Sequence, residues 1–266
     1  MKHYDFAVGL VKEAGEFIKQ SRLGNIQVFH KGTDERDVVT KIDLEVSGLL
    51  ISRIQQNFPE HRIYSEEGAG GEESSTQEYE WVLDPVDGTA NFSRGIPHFA
   101  VCVGLLHKGV PMVGAIYNPI TGELFSFEKG RGAFLNDQPI HVSSTTDPAQ
   151  AQGILVIGHK APLWDWGVAL YRAFLEHLKK LKAFGSSSLD LCFVAAGRAE
   201  VVVYGTFSAK DSAAAVGLLR EAGGEIYTPQ GEPILLSKKA QPIVVTNNKE
   251  MFKNLEQHLS VDLLPS

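Results

Sequence analysis

The chain has 266 residues, 43% hydrophobic and 21% charged, a composition that excludes a fibre or a wholly disordered protein. Lysine and arginine number 25 against 32 aspartates and glutamates, a formal charge of −7. That is the wrong sign for a protein held to nucleic acid by its phosphates, so no dedicated nucleic-acid binding is expected. At about 150 residues per domain, the length suits one large domain or two fused lobes.

The opening Met1-Lys2-His3-Tyr4-Asp5-Phe6 has an acid where a signal peptide needs its apolar region. The longest apolar run, Phe99 to Leu106, stops at His107-Lys108, so no membrane partner is expected. Ala7, Leu10, Val11, Ala14, Phe17 and Ile18 recur at helical spacing, and so do Ile42, Val46, Leu49, Leu50 and Ile54. These patterns predict two amphipathic helices. Between them, residues 31–37 are charged and aperiodic, which predicts a loop. Thr40 stands at an N-cap position with Asp43 three residues on.

From residue 80 the texture becomes that of strands: Trp81 to Leu83, Ala100 to Leu106, Val110 to Tyr117 and Leu124 to Phe127. His107-Lys-Gly109 and Asn118-Pro-Ile-Thr-Gly122 are turn sequences of an antiparallel sheet. The polar stretch 143–153 then marks a boundary between an α+β lobe, residues 1–146, and an α/β lobe, residues 147–266. In the second lobe strands are expected at Ile154 to Ile157, Val201 to Tyr204 and Ile243 to Val245. Helices are expected at Trp166 to Leu178, Leu189 to Ala196, Ala213 to Ala222 and Met251 to Leu259. Cys102 and Cys192 each lie in an apolar run, which suits reduced core thiols and a cytoplasmic location.

The chemistry concentrates at Trp81-Val-Leu-Asp84-Pro85-Val86-Asp87-Gly88-Thr89-Ala-Asn-Phe92, where an apolar strand runs into two aspartates and then into a helix start. Two carboxylates at a buried strand end repel each other unless a cation neutralises them. Mg²⁺ takes oxygen ligands and shares them with water and phosphate, and the backbone N–H groups of Gly88 and Thr89 are placed to hold that phosphate. Asp-Pro and Asp-Gly are also ordinary turn formers, so a plain turn is the competing reading. Glu66, Asp43 and Asp211 are further acids with two readings each. Asp43 and Asp211 suit the first turn of a helix, the latter with Ser208 as its cap, and the stretch from Glu66 to Glu80 suits a solvated acidic loop.

Five segments in order carry a resemblance: Asp37-Val-Val-Thr-Lys-Ile-Asp43, Ser65-Glu66-Glu67, Trp81 to Phe92, Gly185-Ser186-Ser187, and Asp211-Ser-Ala-Ala-Ala215 through Glu221-Ala-Gly-Gly224. Over nearly the whole chain they resemble the inositol monophosphatase family of Mg²⁺-dependent, Li⁺-sensitive phosphatases. The resemblance implies a layered αβαβα sugar-phosphatase fold, a homodimer and two or three Mg²⁺ ions per active site. By the same resemblance one ion is held by Glu66, Asp84 and the carbonyl of Val86, and a second by Asp84, Asp87 and Asp211. A weaker third involves Glu66. Thr89 and Asp43 orient the attacking water, and Lys31, Gly88, Thr89, Gly185 and Ser186 face the substrate.

Two positions depart from the family pattern and join the substrate-facing set. Tyr204 stands seven residues before Asp211, where inositol-cleaving members carry a glutamate that bonds ring hydroxyls. Lys210 stands where the family usually places tryptophan, either to meet a second anionic group or to point to solvent.

There is no glycine-rich dinucleotide fingerprint, P-loop, nucleophile elbow or zinc-ligand spacing. His98, between Pro97 and Phe99, reads as a packed histidine, and Trp166 as core. The expected enzyme is a phosphomonoesterase acting on a small phosphorylated metabolite of the inositol monophosphate kind. Sister-group substrates are 3′-phosphoadenosine 5′-phosphate, fructose 1,6-bisphosphate, NADP and histidinol phosphate. A regulatory protein on the same fold, acting through a partner, is the alternative class.

Overall fold

The computed structural model describes residues 2–21, 28–30, 38–68, 77–158, 161–237 and 239–259. Lys31 and the expected loop 31–37 lie outside the described residues. The first helix, α1, is His3–Ser21, and a short antiparallel pair, β1 (Val28–His30) and β2 (Val38–Thr40), leads into α2 (Lys41–Asn57). Thr40 caps α2 reciprocally: its side chain accepts from the Asp43 N–H while the Asp43 carboxylate accepts from the Thr40 N–H.

A seven-stranded sheet follows, with β3 (Arg62–Ser65), β4 (Tyr79–Asp87), β5 (Ala100–His107), β6 (Val110–Asn118), β7 (Glu123–Glu128), β8 (Gly132–Leu135) and β9 (Gln138–Ile140) in sequence order. The five-residue helix α3 (Thr89–Ser93) interrupts it after β4. Only β3 and β4 run parallel. Both anticipated turns form: Lys108 and Gly109 take positive φ between β5 and β6, and Asn118 Oδ1 accepts from the Ile120 and Thr121 N–H groups.

A five-stranded sheet has the order β11 (Lys180–Lys182), β10 (Gln152–Val156), β12 (Val201–Phe207), β14 (Gln241–Thr246), β13 (Glu225–Tyr227). Its helices are α4 (Trp164–His177), α5 (Ser187–Ala195), α6 (Ala213–Glu221) and α7 (Lys249–Glu256).

The period-2 alternation of β5 sorts its side chains between layers. Val101, Val103 and Leu105 face α1 and α2, whereas Ala100 and Cys102 join a middle core with α5 and α6. The inner face of the five-stranded sheet supplies Val202, Ile243 and Val245 to that same core, and its outer face packs Val201, Val203 and Val244 against Trp166, Phe174 and Leu255. The result is five layers in the order helix, sheet, helix, sheet, helix, an α+β architecture of the expected αβαβα kind.

Helix α6 can lie close to the first sheet because glycines face it. A Cβ at Gly104 would meet the Ala214 backbone nitrogen at 3.1 Å, and one at Gly114 would meet Ala214 Cα at 3.0 Å. Both cysteines are buried and unpaired, and Trp166 is core as expected. No helix among the described residues is long and apolar enough to cross a membrane.

Candidate active site

Residues three apart on a regular strand face opposite sides, yet Asp84 and Asp87 must share a side to act together. A bulge in β4 resolves this. Asp84 pairs with Cys102 and Asp87 with Ala100, so three steps on β4 match two on β5 and both aspartates follow the inward-facing residues of β5. Pro85 lies within the bulge, where its missing N–H is no loss to the ladder. The parallel strand β3 delivers Glu66 alongside: its N–H donates to the Leu83 carbonyl at 3.1 Å, and its carboxyl reaches hydrogen-bond range of Asp84.

Asp211 arrives from the opposite direction, in the turn before α6. The bland alternative, in which it serves the first helical turn, does not hold, since α6 begins at Ala213. The Asp211 N–H makes a long 3.4 Å bond to Ser208 Oγ, and the Tyr64 hydroxyl donates to Asp211 Oδ1 at 2.7 Å. Glu66, Asp84, Asp87 and Asp211 thereby line one cavity of about 200 Å³, shared with Val86, Gly88, Thr89, Ser187, Ser212 and residues 206–208 at the end of β12. The wall is oxygen-rich and, among the described residues, carries no histidine, cysteine, lysine or arginine.

Electrostatics make this arrangement costly without a counter-charge. Burial pushes the Asp84 carboxyl well above the usual carboxylate range, and the nearby Glu66 and Asp87 push it further. Burial also raises Asp87, opposed by the donors that hold it. The Ser187 N–H and hydroxyl, each at 3.1 Å, give to Asp87 Oδ1, while the Ser188 N–H at 2.9 Å and the Ser186 hydroxyl give to Oδ2. Ser186 is the N-cap of α5, so Asp87 ties the first sheet to the start of that helix. Among the described residues no three acidic, imidazole or thiol groups are drawn tightly enough to ligate one ion outright. The carboxylates line a common space, Asp87 held there by the serines of α5 and Asp211 by Tyr64. A hard divalent cation fits this donor set, which offers oxygen only and excess negative charge.

The remaining expected residues divide. Thr89 Oγ1 lies 2.9 Å from both Asp43 Oδ1 and the Val86 carbonyl, joining a buried acid to the cavity wall. Asp43 Oδ2 takes both the N–H and the hydroxyl of Thr40, and burial raises this carboxyl despite those bonds. Gly88 adopts φ +91°, and a Cβ there would meet the His98 carbonyl at 3.0 Å, so glycine is required. Gly185 and Ser186 stand behind the wall, which Ser187 reaches.

Tyr204 and Lys210 are not on the wall. Tyr204 is buried and donates its hydroxyl to Asp190 at 2.6 Å, and Lys210 pairs with Glu80 at 3.0 Å beneath the Tyr64 ring. Asp190, fully buried, also meets His98 Nε2 at 3.1 Å. Sequence reasoning missed this acid because it sits in the apolar run Leu189-Asp-Leu-Cys, where only its distant partners mark it. Thr206, Phe207 and Ser212 were missed as well, and their only signal was proximity in sequence to Asp211.

A five-layer fold that gathers acids and hydroxyls into a small, polar, oxygen-lined cavity defines a phosphoric monoester hydrolase once its relatives are considered. The chain belongs to the inositol monophosphatase family, whose model matches residues 2–260. It is 34% identical to an inositol monophosphatase of Mesembryanthemum crystallinum, over 94% of this chain and 95% of that one. It is 35% identical to Nus factor SuhB of Pasteurella multocida, over 96% of each. The crystal structure of the extragenic suppressor protein SuhB from Bartonella henselae superimposes with a TM-score of 0.87 at 30% identity, covering 95% of this chain and 96% of that one.

Proposed function

We propose that this phosphatase is Mg²⁺-dependent and hydrolyses a small phosphorylated metabolite of the inositol monophosphate kind. The observation that carries the reading is the convergence of Glu66, Asp84, Asp87 and Asp211 on one cavity whose wall also bears the Thr89 hydroxyl. Glu66, Asp84 and the Val86 carbonyl would hold one ion, Asp84, Asp87 and Asp211 a second, and Glu66 with water a weaker third. Bound Mg²⁺ supplies charge neutralisation, polarisation of water and stabilisation of the departing alkoxide.

The chain's own groups do the positioning. The Thr89 hydroxyl, with its proton directed to Asp43, offers its lone pairs to a water in the cavity. The raised affinity of Asp43 for protons suits it to take the proton passed along that pair. The backbone N–H groups of Gly88 and Thr89, at the start of α3 on the cavity wall, would donate to phosphate, and Gly185, Ser186 and Lys31 belong to the substrate side in this reading. Tyr204 and Lys210 are engaged elsewhere, which leaves the ring-hydroxyl contact unfilled and widens the choice of substrate to the sister-group set. The unpaired buried cysteines suit a reducing cytoplasm, and family resemblance supports a homodimer.

The test is phosphate release from inositol 1-phosphate, fructose 1,6-bisphosphate, 3′-phosphoadenosine 5′-phosphate, NADP and histidinol phosphate, with Mg²⁺ and with Mg²⁺ plus Li⁺. Mg²⁺-dependent, Li⁺-sensitive release from one of them, lost in Asp84→Asn, is expected. Release that persists in EDTA or in that variant overturns the reading.

A second reading has one observation in its favour, the similarity to a relative named Nus factor SuhB. On it, the fold acts by binding a protein partner. Asp84→Asn would then abolish phosphate release and leave the cellular function intact.

A further inference from the structure

Helix α4 carries a face that no part of the catalytic reading uses. Its inner side buries Trp166, Leu170 and Phe174. On its outer side Trp164, Val168, Tyr171 and Leu175 remain 51, 71, 52 and 59% exposed. Their intervals of four, three and four residues are those of a heptad seam, with Trp164 and Tyr171 at d and Val168 and Leu175 at a. Leu155 and Ile157 extend the stripe into a groove of about 620 Å³. Soluble proteins expose large apolar side chains singly, whereas a contiguous stripe marks an interaction surface.

Charge decides what covers it. Asp165 and Arg172 are exposed and each follows a d residue, which makes them e positions seven residues apart. When two copies of such a helix pack antiparallel about a twofold axis, e positions meet e positions, so Asp165 of each copy faces Arg172 of the other. The same axis sets Trp164 against Leu175 of the second copy and Val168 against Tyr171. A parallel pairing would instead set e against g, and the g residues here, Gly167 and Phe174, are buried and uncharged. The existing partner of Arg172 is Glu176, four residues on at 3.1 Å. Such an exposed pair contributes little and does not compete. An anionic membrane would confront Asp165, Glu176 and a net charge of −7.

We propose that the outer face of α4 is a self-association surface, which pairs antiparallel with α4 of a second copy of this chain and closes the groove. The inference does not depend on the phosphatase reading, because no residue of the seam lines the acidic cavity.

The test is sedimentation of the full-length protein with and without Val168→Glu, Asp165→Arg and Arg172→Glu. Val168→Glu lies on the exposed side of the helix, so its melting temperature and phosphate release should match the parent while its assembly drops by one step. Each single charge variant should weaken association by about tenfold, since like charges then meet. An equimolar mixture of the two charge variants should recover it, because each new charge then faces its opposite. The proposal fails if Val168→Glu sediments like the parent, if the parent itself is monomeric, or if the mixture assembles no better than its components. It fails also if phosphatidylserine vesicles bind the parent, and not Val168→Glu, with sedimentation unchanged. A monomeric parent would also overturn the homodimer expected from family resemblance, an expectation that by itself places no requirement on α4.

Discussion

Tyr64 and Asp211, 147 residues apart in the chain, meet at 2.7 Å with the phenol donating to the carboxylate. The bond joins β3, which brings Glu66, to the turn that brings Asp211. It fixes the orientation of a carboxylate that has no other side-chain donor among the bonds described. Tyr64→Phe removes a hydrogen bond to a charged group, about 1.5–3 kcal/mol. The Mg²⁺ concentration for half-maximal activity is expected to rise on the order of tenfold, as read by titrating phosphate release. An unchanged midpoint would show that Asp211 is held without Tyr64.

Asp43, Asp84 and Asp87 are all raised by burial, Asp84 most strongly. A carboxyl raised in the folded chain keeps a proton that the unfolded chain releases. Its stabilisation is therefore full below the ordinary carboxylate range and is lost as pH rises through the raised values. In EDTA the melting temperature should fall as pH rises above the ordinary carboxylate range, and saturating Mg²⁺ should restore it most at the higher pH. Asp84→Asn should flatten the EDTA slope and raise the melting temperature there, while lowering activity at least about a hundredfold. Melting curves that coincide in EDTA and Mg²⁺ at both pH values would remove the argument for a charge-burdened site.

Tyr204 occupies the position where a substrate contact was expected, and its hydroxyl is spent on Asp190. Tyr204→Phe takes one donor from a fully buried acid, which costs about 1–3 kcal/mol of stability. The expected result is a melting temperature lower by several degrees with KM unchanged. A several-fold rise in KM at unchanged stability would return Tyr204 to the substrate side.

Gly114 admits α6, and a Cβ there would also lie 2.4 Å from the Phe127 ring. Gly114→Val overpacks this contact at a cost of about 1–3 kcal/mol and pushes α6, with Asp211 just ahead of it, off the first sheet. Mg²⁺ activation should weaken as well as the fold. Gly9→Ala, on the exposed side of α1 where a Cβ meets nothing within 4 Å, serves as the control: it should leave Mg²⁺ activation unchanged and hold or slightly raise the melting temperature.

Local pattern made much of this legible. The helical spacing of Ala7 to Ile18 and of Ile42 to Ile54 became α1 and α2, and Thr40 caps as its sequence suggested. Asp84 and Asp87 were conspicuous because acids interrupt an apolar strand. What stayed hidden depends on distance through the fold. That the two aspartates share a side follows from the β4 bulge, whose register is set by β5. Asp190 acquires meaning only from His98 and Tyr204, and the β8–β9 hairpin, short and partly exposed, has no alternation strong enough to announce it. Asp211 was visible as an acid, but its place depends on two glycines about a hundred residues earlier that clear space for α6.

The middle helical layer also sets an order of events during synthesis. The seven-stranded sheet is complete once Ile140 has emerged, yet Ile116, Phe125 and Phe127 on its inner face are covered by α5 and α6, which finish at Glu221. For some eighty residues of translation, an assembled sheet would present an uncovered apolar surface to the cell. A truncated chain ending near residue 146 would keep that surface permanently and is destined to aggregate or to be held by chaperones.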